Sequence, residues 1–285
     1  MNLTPAEVPV QRRPRPRRFR LVAIVLILAV AVLATDAIFI EPNWIQVNHY
    51  SISGPVTAPL KIAHLTDIHT GGIGRRERKL LAILEQEKPD VIVVTGDTLS
   101  SLRSDYANCR KLYELLHAPL GVWVVLGNWE NERPARREHF IYEAAGVHLL
   151  VNVSRQIRPD VWLIGLDDPW TGTPKLDAAL QGVPADAYKI ALFHSPYFFD
   201  RASGRVNLCL AGHTHGGQVR IPFIRPYWLP SGCGRFLEGW YVQRDSRMYV
   251  SRGLGMSNLP VRFLCRPELA FITVEPAGNS VSQVR

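Results

Sequence analysis

Cysteine is scarce in this sequence, and no two cysteines form a C-x-x-C pair. Four occur in 285 residues: Cys109, Cys209, Cys233 and Cys265. This spacing excludes the paired-cysteine motifs of thiol exchange and of many zinc sites. Cys209 lies within an apolar segment, where a small buried thiol is expected. A disulfide between Cys233 and Cys265 stays open, because connectivity cannot be read from a sequence.

Acidic residues are nearly absent from the amino terminus. Residues 1–20 contain six arginines and a single acid, Glu7, which together account for +5 of the formal net charge of +8. The rest of the chain therefore carries only +3, which does not indicate nucleic-acid binding, and no nucleic-acid partner is expected. No internal repeat is present, which excludes repeat arrays. With 47% apolar residues, the chain can bury one substantial core.

Charge is also absent from residues 21–35, and the apolar run continues for five more residues with only Asp36 charged. A membrane-spanning helix needs about 20 mainly apolar residues, whereas the core of a signal peptide has about 7–15. We expect an uncleaved anchor over residues 21–40, with Val32-Leu33-Ala34 as the cleavage site of the alternative, a signal segment. Because basic residues favour the cytoplasmic side, residues 1–20 are expected to form a cytoplasmic tail. The rest of a single-pass cell-membrane protein would then be extracytoplasmic.

Beyond this segment, apolar runs alternate with helical patterns. Residues 41–60 are expected to be a linker and an edge strand. Helices are expected over 75–87 and near 104–117 and 134–145. Strands are expected at 61–66, 91–95, 122–126, 147–151, 161–166, 189–193, 207–211, 247–251, 260–264 and 269–274. This order predicts an α/β fold with a strand-rich end.

Polar motifs follow five of the expected strands. They are Asp67-x-His69, Gly96-Asp97, Gly127-Asn128, His194 and Gly212-His213-Thr214-His215. Strand ends in open α/β sheets converge at one edge, where such sheets place their sites. Four imidazoles, two carboxylates and one amide form a mixed set of ligands suited to Mn, Fe or Zn. If one carboxylate is shared, these side chains are enough for two divalent metal ions. Each alone has a simpler interpretation, such as a buried histidine or a turn; the order of all five indicates a site.

In this order and spacing, the motifs resemble those of the calcineurin-like metallophosphoesterase superfamily over about residues 42–275. The GHTHGGQ block and the segment Ser251–Phe263 resemble a branch of membrane-associated bacterial phosphodiesterases that includes enzymes cleaving lipid-linked pyrophosphates. The resemblance implies a four-layer α/β/β/α sandwich of two mixed sheets, over residues 61–275. Residues 276–285 are expected to be a disordered tail.

The resemblance also implies how the ligands divide between two metal ions. The first would take Asp67, His69 and His215, the second would take Asn128, His194 and His213, and Asp97 would bridge them. Two ions about 3.5–4 Å apart hold both the attacking and the leaving oxygen of a phosphoryl displacement. A water between them would lose a proton near neutral pH and act as the nucleophile.

One position departs from the superfamily pattern. A histidine commonly follows the Gly-Asn pair and approaches the substrate phosphate, but here the block is Asn128-Trp129-Glu130. The indole of Trp129 donates a hydrogen bond but cannot transfer a proton. Glu130 is a candidate acid if its pKa is raised. Alternatively, the leaving group needs no acid, or the centre binds metal and turns over slowly. Asn128, Trp129 and Glu130 are therefore the candidate catalytic residues.

We expect a metal-dependent hydrolase of phosphodiester or pyrophosphate bonds in a lipid-linked or cell-envelope substrate. Its expected partners are a phosphoester small molecule or a lipid head group, and the membrane through the N-terminal segment. One alternative is a phosphomonoesterase or nucleotide phosphodiesterase, and another is a metal-binding interaction module with little hydrolysis. His64 is expected to be a core or supporting residue, Asp167-Asp168 a turn, and Gly253-Leu254-Gly255 a turn or a border of the site.

Overall fold

Two six-stranded sheets form the centre of the protein, shown here as a computed structural model that describes residues 17–99, 106–132, 139–226 and 229–278. The strands are β1 (Gln46–Gly54), β2 (Leu60–Leu65), β3 (Val91–Thr95), β4 (Val122–Val125), β5 (His148–Leu149), β6 (Val153–Arg158), β7 (Val161–Gly165), β8 (Tyr188–Leu192), β9 (Leu208–Ala211), β10 (Gly239–Gln243), β11 (Ser246–Val250) and β12 (Glu268–Pro276). The helices are α1 (Arg17–Thr35), α2 (Arg75–Glu87), α3 (Tyr106–Tyr113), α4 (Asn128–Asn131), α5 (His139–Ala144), α6 (Leu176–Leu180) and α7 (Phe199–Ala202).

Both sheets are mixed. The first has the strand order β1-β12-β2-β3-β4-β5, and only the β12–β2 pair in it is antiparallel. The second has the order β10-β11-β9-β8-β7-β6, with antiparallel pairs at its two ends. The parallel strands in the middle of each sheet are the ones that precede the five motifs. The expected α/β fold of two mixed sheets is confirmed.

Three apolar layers explain the continuous hydrophobic runs. In β3, Ile92 and Val94 face helices α2 and α3, while Val91 and Val93 face the second sheet. A third layer covers the other face of the second sheet, where Phe193 packs among residues of α6 and α7. Strands buried on both faces lose the apolar–polar alternation of a surface strand. The stacking is therefore helix, sheet, sheet, helix.

Several expected elements are corrected by the structure. Residues 260–264 form no strand; among the described residues, Phe263 makes only an isolated bridge to Val219. Strands β6 and β10 were not expected, because their sequences are polar or glycine-led and both lie at sheet edges. The four cysteines are buried and free, so no Cys233–Cys265 disulfide forms. Residues 1–16, 104–105, 134–138 and 279–285, on which other expectations fall, lie outside the described residues.

The segment that replaces the expected strand is organised by Arg262, a fully buried arginine. Its guanidinium donates to the backbone carbonyls of Gly255 (2.7 and 2.9 Å), Arg252 (2.8 Å), Gly253 (3.1 Å) and Cys265 (2.9 Å). Burial lowers the pKa of Arg262 to about 10. A loop closed around one side chain has no hydrophobic period, so its sequence could not predict this shape.

The N-terminal apolar segment is helical. The segment Arg18–Asn43 is long and apolar enough to cross a membrane, and its apolar 18-residue window has a mean hydropathy of 2.8, although a signal helix can meet the same criteria. The α-helix passes into a π-helical turn at Asp36–Ile40 and a 3₁₀ turn at Glu41–Asn43. From Arg18 to Thr35 its side chains are exposed. The expectation of one N-terminal apolar helix is confirmed.

Helix α1 meets the sheets at the edge that carries the motifs. Strand β1 begins at Gln46, just after the helical turns end, and runs parallel to β12. Because β12 is antiparallel to β2, both β1 and β12 begin at the edge where β2 ends. Strands β2, β3 and β4 are parallel and end together at that edge. The motif edge therefore faces the end of the apolar helix.

Candidate metal centre

The ends of five strands bring the predicted ligands together. Asp67 and His69 follow β2, Asp97 follows β3, Asn128 follows β4, His194 follows β8, and His213 and His215 follow β9. Six of them form two groups able to hold a metal ion: Asp67, His69 and His215 in one, and Asp97, His194 and His213 in the other. Within each group the candidate ligand atoms lie within 4.8 Å of one another. All six residues are buried.

The donor atoms have the spacing of ligands around a common ion. His69 Nε2 and His215 Nε2 are 3.3 Å apart, and His213 Nδ1 and His194 Nε2 are 3.0 Å apart. Metal bonds of about 2.0–2.2 Å at angles near 90–110° give ligand–ligand separations of this size. Asp97 Oδ2 lies 3.1 Å from His194 Nε2 and 3.8 Å from His69 Nε2. Asp97 thus stands between the two groups.

Backbone carbonyls orient three of the imidazoles. His69 Nδ1 lies 2.8 Å from Leu99 O and His194 Nδ1 lies 2.7 Å from Thr95 O, so each donates an N–H there and keeps Nε2 for a ligand. His213 is reversed, with Nε2 2.6 Å from Ser231 O and Nδ1 facing the centre. Metal-binding histidines are usually fixed in this way by a second partner on the other nitrogen.

Each carboxylate has one fixed oxygen and one that faces the centre. Asp67 Oδ2 accepts from the Thr66 hydroxyl and the His213 N–H, both at 2.9 Å. Asp97 Oδ1 accepts from the Trp129 N–H at 2.9 Å. Among the described residues, Asp67 Oδ1 and Asn128 Oδ1 are buried without a hydrogen-bond partner. Buried oxygens are normally paired, so these two fit the positions of metal ligands.

Left-handed backbone is concentrated at the ligands. Five of them have positive φ: Asp67 (49°), His69 (43°), Asp97 (52°), His213 (72°) and His215 (50°). Such a conformation is uncommon outside glycine, although aspartate and histidine tolerate it better than most residues. Each costs about 1–3 kcal/mol and persists where the surrounding structure fixes it. This turn, which follows β2, β3 and β9, directs nearby side chains into one centre.

The glycines of the motifs allow this close approach. A Cβ atom on Gly127 would lie 2.2 Å from Asp97 Oδ1, and one on Gly212 would lie 2.0 Å from the Thr66 hydroxyl oxygen. The Gly253–Gly255 loop borders the site as well, because the Gly255 N–H donates to Asp67 O at 2.6 Å. A side chain at any of these positions would push a ligand out of place.

Glu130, the candidate acid, contacts backbone groups. Its carboxylate accepts hydrogen bonds from the backbone N–H groups of Asp97 (2.8 Å), Thr98 (2.8 Å), Leu99 (3.0 Å) and Gly127 (2.8 Å). The residue is only 2% exposed. All four partners are backbone N–H groups and Glu130 does not line the cleft, so its carboxylate supports the turns after β3 and β4. Its position three residues after Gly127, as in a capping box, is the sequence signal that could have identified it.

Trp129 forms a wall of the cleft above the centre. Its ring meets His69 edge to face, with centroids 6.1 Å apart. The cleft has a volume of about 240 Å³. Its lining residues are Asp97, Asn128, Trp129, Glu132, Trp170, His213, His215, Pro230, Ser231, Ser257 and Asn258. Glu132, which sequence reasoning did not select, is thus the exposed carboxylate of this cleft among the described residues.

Two other groups noted in the sequence support the site from outside the ligand set. His64 is fully buried, with Nε2 2.8 Å from the Thr95 hydroxyl, as expected of a core residue. Asp168 forms the expected turn, where it accepts from the Thr171 N–H at 2.7 Å. It also accepts from the Ser195 hydroxyl at 2.6 Å, next to His194. Neither residue belongs to the two ligand groups.

The two central acids and His194 share protons unequally. Burial raises the pKa of Asp97 to about 7, against the lowering influence of His194. Burial opposes the charge on His194, but the carboxylates of Asp97 and Asp67 hold its pKa well above the usual value. For Asp67, the surrounding imidazoles outweigh burial and lower its pKa. Burial lowers the pKa of His69 and of His213 to about 4.

Comparisons with known proteins agree with this geometry. The sequence profile of the calcineurin-like phosphoesterase family matches residues 60–217, more than half of the chain. An uncharacterized metallophosphoesterase of Bacillus subtilis, YkuE, is 28% identical over 252 residues, which cover 83% of this chain and 88% of that protein. The phosphodiesterase YaeI of Escherichia coli is 26% identical over 246 residues, covering 82% and 90%. A transmembrane protein with a metallophosphoesterase domain from Bos taurus is 29% identical over 252 residues, covering 78% of this chain and 54% of its own length.

Replacing Glu130 by glutamine should weaken the hydrogen bonds that hold the ligand turns in place, and so weaken metal binding, rather than remove a catalytic acid. The amide nitrogen would face backbone N–H donors, so we expect a lower melting temperature and at least about a tenfold loss of Mn²⁺ affinity. Differential scanning calorimetry and titration calorimetry measure the two effects. Glu132→Gln, the same change at an exposed carboxylate two residues away, is the control for the melting temperature. Unchanged melting and metal affinity in Glu130→Gln would contradict this role.

Metal affinity should rise with pH. His194 must give up a proton before its nitrogen can bind a metal ion, and protonation of Asp97 below about pH 7 competes in the same direction. For each proton displaced, the affinity for Mn²⁺ should increase about tenfold per pH unit between pH 6 and 8. Titration calorimetry in two buffers of different ionisation enthalpy counts the released protons. A flat affinity profile without proton release would contradict the arrangement.

Proposed function

Because the chain belongs to the calcineurin-like phosphoesterase family of phosphoester hydrolases, we propose that it hydrolyses a phosphodiester or pyrophosphate bond at two divalent metal ions. The substrate we propose is lipid-linked or otherwise part of the cell envelope. The observation that carries the proposal is the pair of buried donor groups joined by Asp97 at one sheet edge. This is the family that the five sequence motifs resembled.

In this proposal the ligands divide as the resemblance implied. One ion would be held by Asp67, His69 and His215, the other by Asn128, His194 and His213, and Asp97 would be shared between them. The donors are nitrogen and oxygen without sulfur, which suits Mn, Fe or Zn. When bound, two such ions would supply Lewis acidity to the phosphoryl group and lower the pKa of an attacking water.

None of the three predicted catalytic residues offers a proton to a leaving group in the cleft. Trp129 has no proton to transfer, and Glu130 is turned away to the backbone. Asn128 contributes an amide oxygen, which is likewise not an acid. A phosphate group released from a pyrophosphate leaves as a stable anion, whereas an alkoxide leaving group requires protonation. Among the proposed substrates, the pyrophosphate therefore fits this centre better than a simple alkyl diester.

The membrane is the second part of the proposal. The N-terminal helix is long enough to span a bilayer, and the motif edge of the sheets faces its end. A membrane-anchored domain with that orientation would present its centre to lipid head groups. The bovine relative is named as a transmembrane protein. The extracytoplasmic side and the division into residues 1–20, 21–40, 41–60, 61–275 and 276–285 stay predictions.

Two other activities use the same geometry. A phosphomonoesterase or nucleotide phosphodiesterase would need the same two ions, with a smaller or more polar substrate. An interaction module would bind metal with little hydrolysis, an option that the absence of the usual histidine at Trp129 keeps open. The assay below separates hydrolysis of a diester from hydrolysis of a monoester and from metal binding without turnover.

Diester hydrolysis by the full-length protein in detergent micelles tests the proposal. With Mn²⁺ added, turnover of bis(p-nitrophenyl) phosphate should exceed that of p-nitrophenyl phosphate. Asp97→Asn should reduce it by more than the about 10–100-fold typical of residues that only orient ligands, because a shared ligand is lost. Asp177→Asn, the same change at an exposed aspartate, is the control.

Each outcome of the assay favours one activity. Preferred turnover of the monoester would favour the phosphomonoesterase. Absence of turnover in protein that holds two metal ions, with both nitrophenyl esters and a lipid-linked pyrophosphate supplied in nanodiscs, would contradict hydrolysis and leave the interaction module.

A further inference from the structure

Two neighbouring loops expose an unusual amount of apolar surface. We call this surface the apolar lip; it consists of Val219, Ile221, Phe223, Ile224, Leu259 and Leu264. Each is at least 40% exposed, and Phe223 is fully exposed. Single exposed apolar side chains are normal, but a contiguous patch of this kind marks a surface that contacts protein or membrane.

The two loops form one structural unit. The Arg220 N–H donates to Phe263 O at 2.9 Å, and the Phe263 N–H donates to Gln218 O at 3.0 Å. The Gln218 side-chain amide also donates to Leu259 O at 2.8 Å. These bonds hold the lip residues in a fixed arrangement, although they belong to segments about 40 residues apart in sequence.

Hydrogen bonds fix this unit to the end of the apolar helix. The Arg262 N–H donates to Ala37 O at 2.9 Å. The buried carboxylate of Glu41 accepts from the backbone N–H groups of Leu264 (2.8 Å) and Cys265. The lip therefore lies beside the point at which the helix enters the folded domain.

Aromatic and basic side chains accompany the same point. Trp44 is half exposed just after the helix, and the Arg266 guanidinium lies 3.5 Å from the centroid of its ring. Tryptophan and arginine are the residues that commonly occupy the head-group region of a bilayer. Their position indicates that the interface of a bilayer spanned by α1 would lie at the level of the lip.

A groove runs from the lip toward the metal cleft. It has a volume of about 540 Å³ and is lined by Val219, Ile221, Ile224, Pro226 and Leu259, among others. Ser257 and Asn258 line both this groove and the metal cleft. The groove is apolar where it opens at the lip, and its other end adjoins the proposed phosphoester centre. It therefore matches the two ends of a lipid, which are hydrocarbon and phosphate.

We propose that the apolar lip is a second membrane-contacting surface, inserted into the leaflet in which α1 ends. The proposal rests on the membrane anchoring described under Proposed function, but not on the identity of the substrate. Arg225 in the groove wall supplies a positive charge for lipid phosphates. With the lip inserted, an acyl chain can pass from the leaflet along the groove while its head group stays near the metal ions.

Fluorescence quenching by labelled lipid tests the insertion. The full-length protein is placed in phosphatidylcholine nanodiscs with or without 5-doxyl phosphatidylcholine, and a bimane label is attached at Phe223→Cys or Leu259→Cys. The native cysteines are buried, so the label reacts with the introduced one. Val242→Cys is the matched control, since Val242 is an exposed apolar residue near the end of β10 that lies away from the motif edge.

Both lip labels should lose at least about half of their fluorescence to the nitroxide, since an inserted surface reaches roughly 5–10 Å into the leaflet. The Val242→Cys label should lose little. Equal quenching at all three positions, or access of aqueous iodide to the lip labels, would overturn the proposal. So would protection of the lip labels from both quenchers together with a doubled particle mass, because a second copy of the chain would then cover the lip.

The same measurement on Asp97→Asn protein separates this proposal from the proposed function. Quenching does not require hydrolysis, so the variant should give the same result as the unchanged protein. If the protein hydrolyses substrate but the lip labels are not quenched, only the proposed membrane contact of the lip is overturned. If the labels are quenched but no hydrolysis occurs, only the proposed activity is overturned.

Discussion

Seven donor side chains, six of them buried, converge at one edge of the sheets, and the folded domain holds them in this arrangement. Their lone pairs point toward one another at separations of about 3–4 Å, an arrangement that is repulsive unless protons or cations lie between them. Left-handed backbone at five ligands adds strain. The buried sheets and the hydrogen bonds that fix each ligand offset these costs. Among these bonds, those of the Glu130 carboxylate join the turns that follow β3 and β4.

Apolar surface lies beside the metal centre on one side. The end of α1, the loop around Arg262 and the apolar lip lie along the same edge of the sheets as the metal ligands. Water-soluble phosphoesters would need no such surface. A lipid in the leaflet would reach the centre without leaving the interface, so the position of the lip and the proposed substrate class support each other.

The sequence predicted most of the fold, because strands buried on both faces leave continuous apolar runs and each run ends in a polar motif. It also predicted which side chains converge, since strand ends of a parallel sheet meet at one edge. It could not predict contacts made by buried charges: Glu130 was expected to be an acid and instead binds backbone amides, and Arg262 shapes a loop that was expected to be a strand. The apolar lip was missed because its residues lie in turns, where hydrophobic side chains follow no period.

Electron paramagnetic resonance of the full-length protein loaded with Mn²⁺ tests whether two metal ions share Asp97, as proposed. Two ions about 3.5–4 Å apart interact magnetically, so we expect two bound ions per chain with a spin-coupled spectrum. In Asp97→Asn protein the coupling should disappear. A single bound ion per chain, or two ions that give only the uncoupled signal of isolated Mn²⁺, would contradict the shared centre.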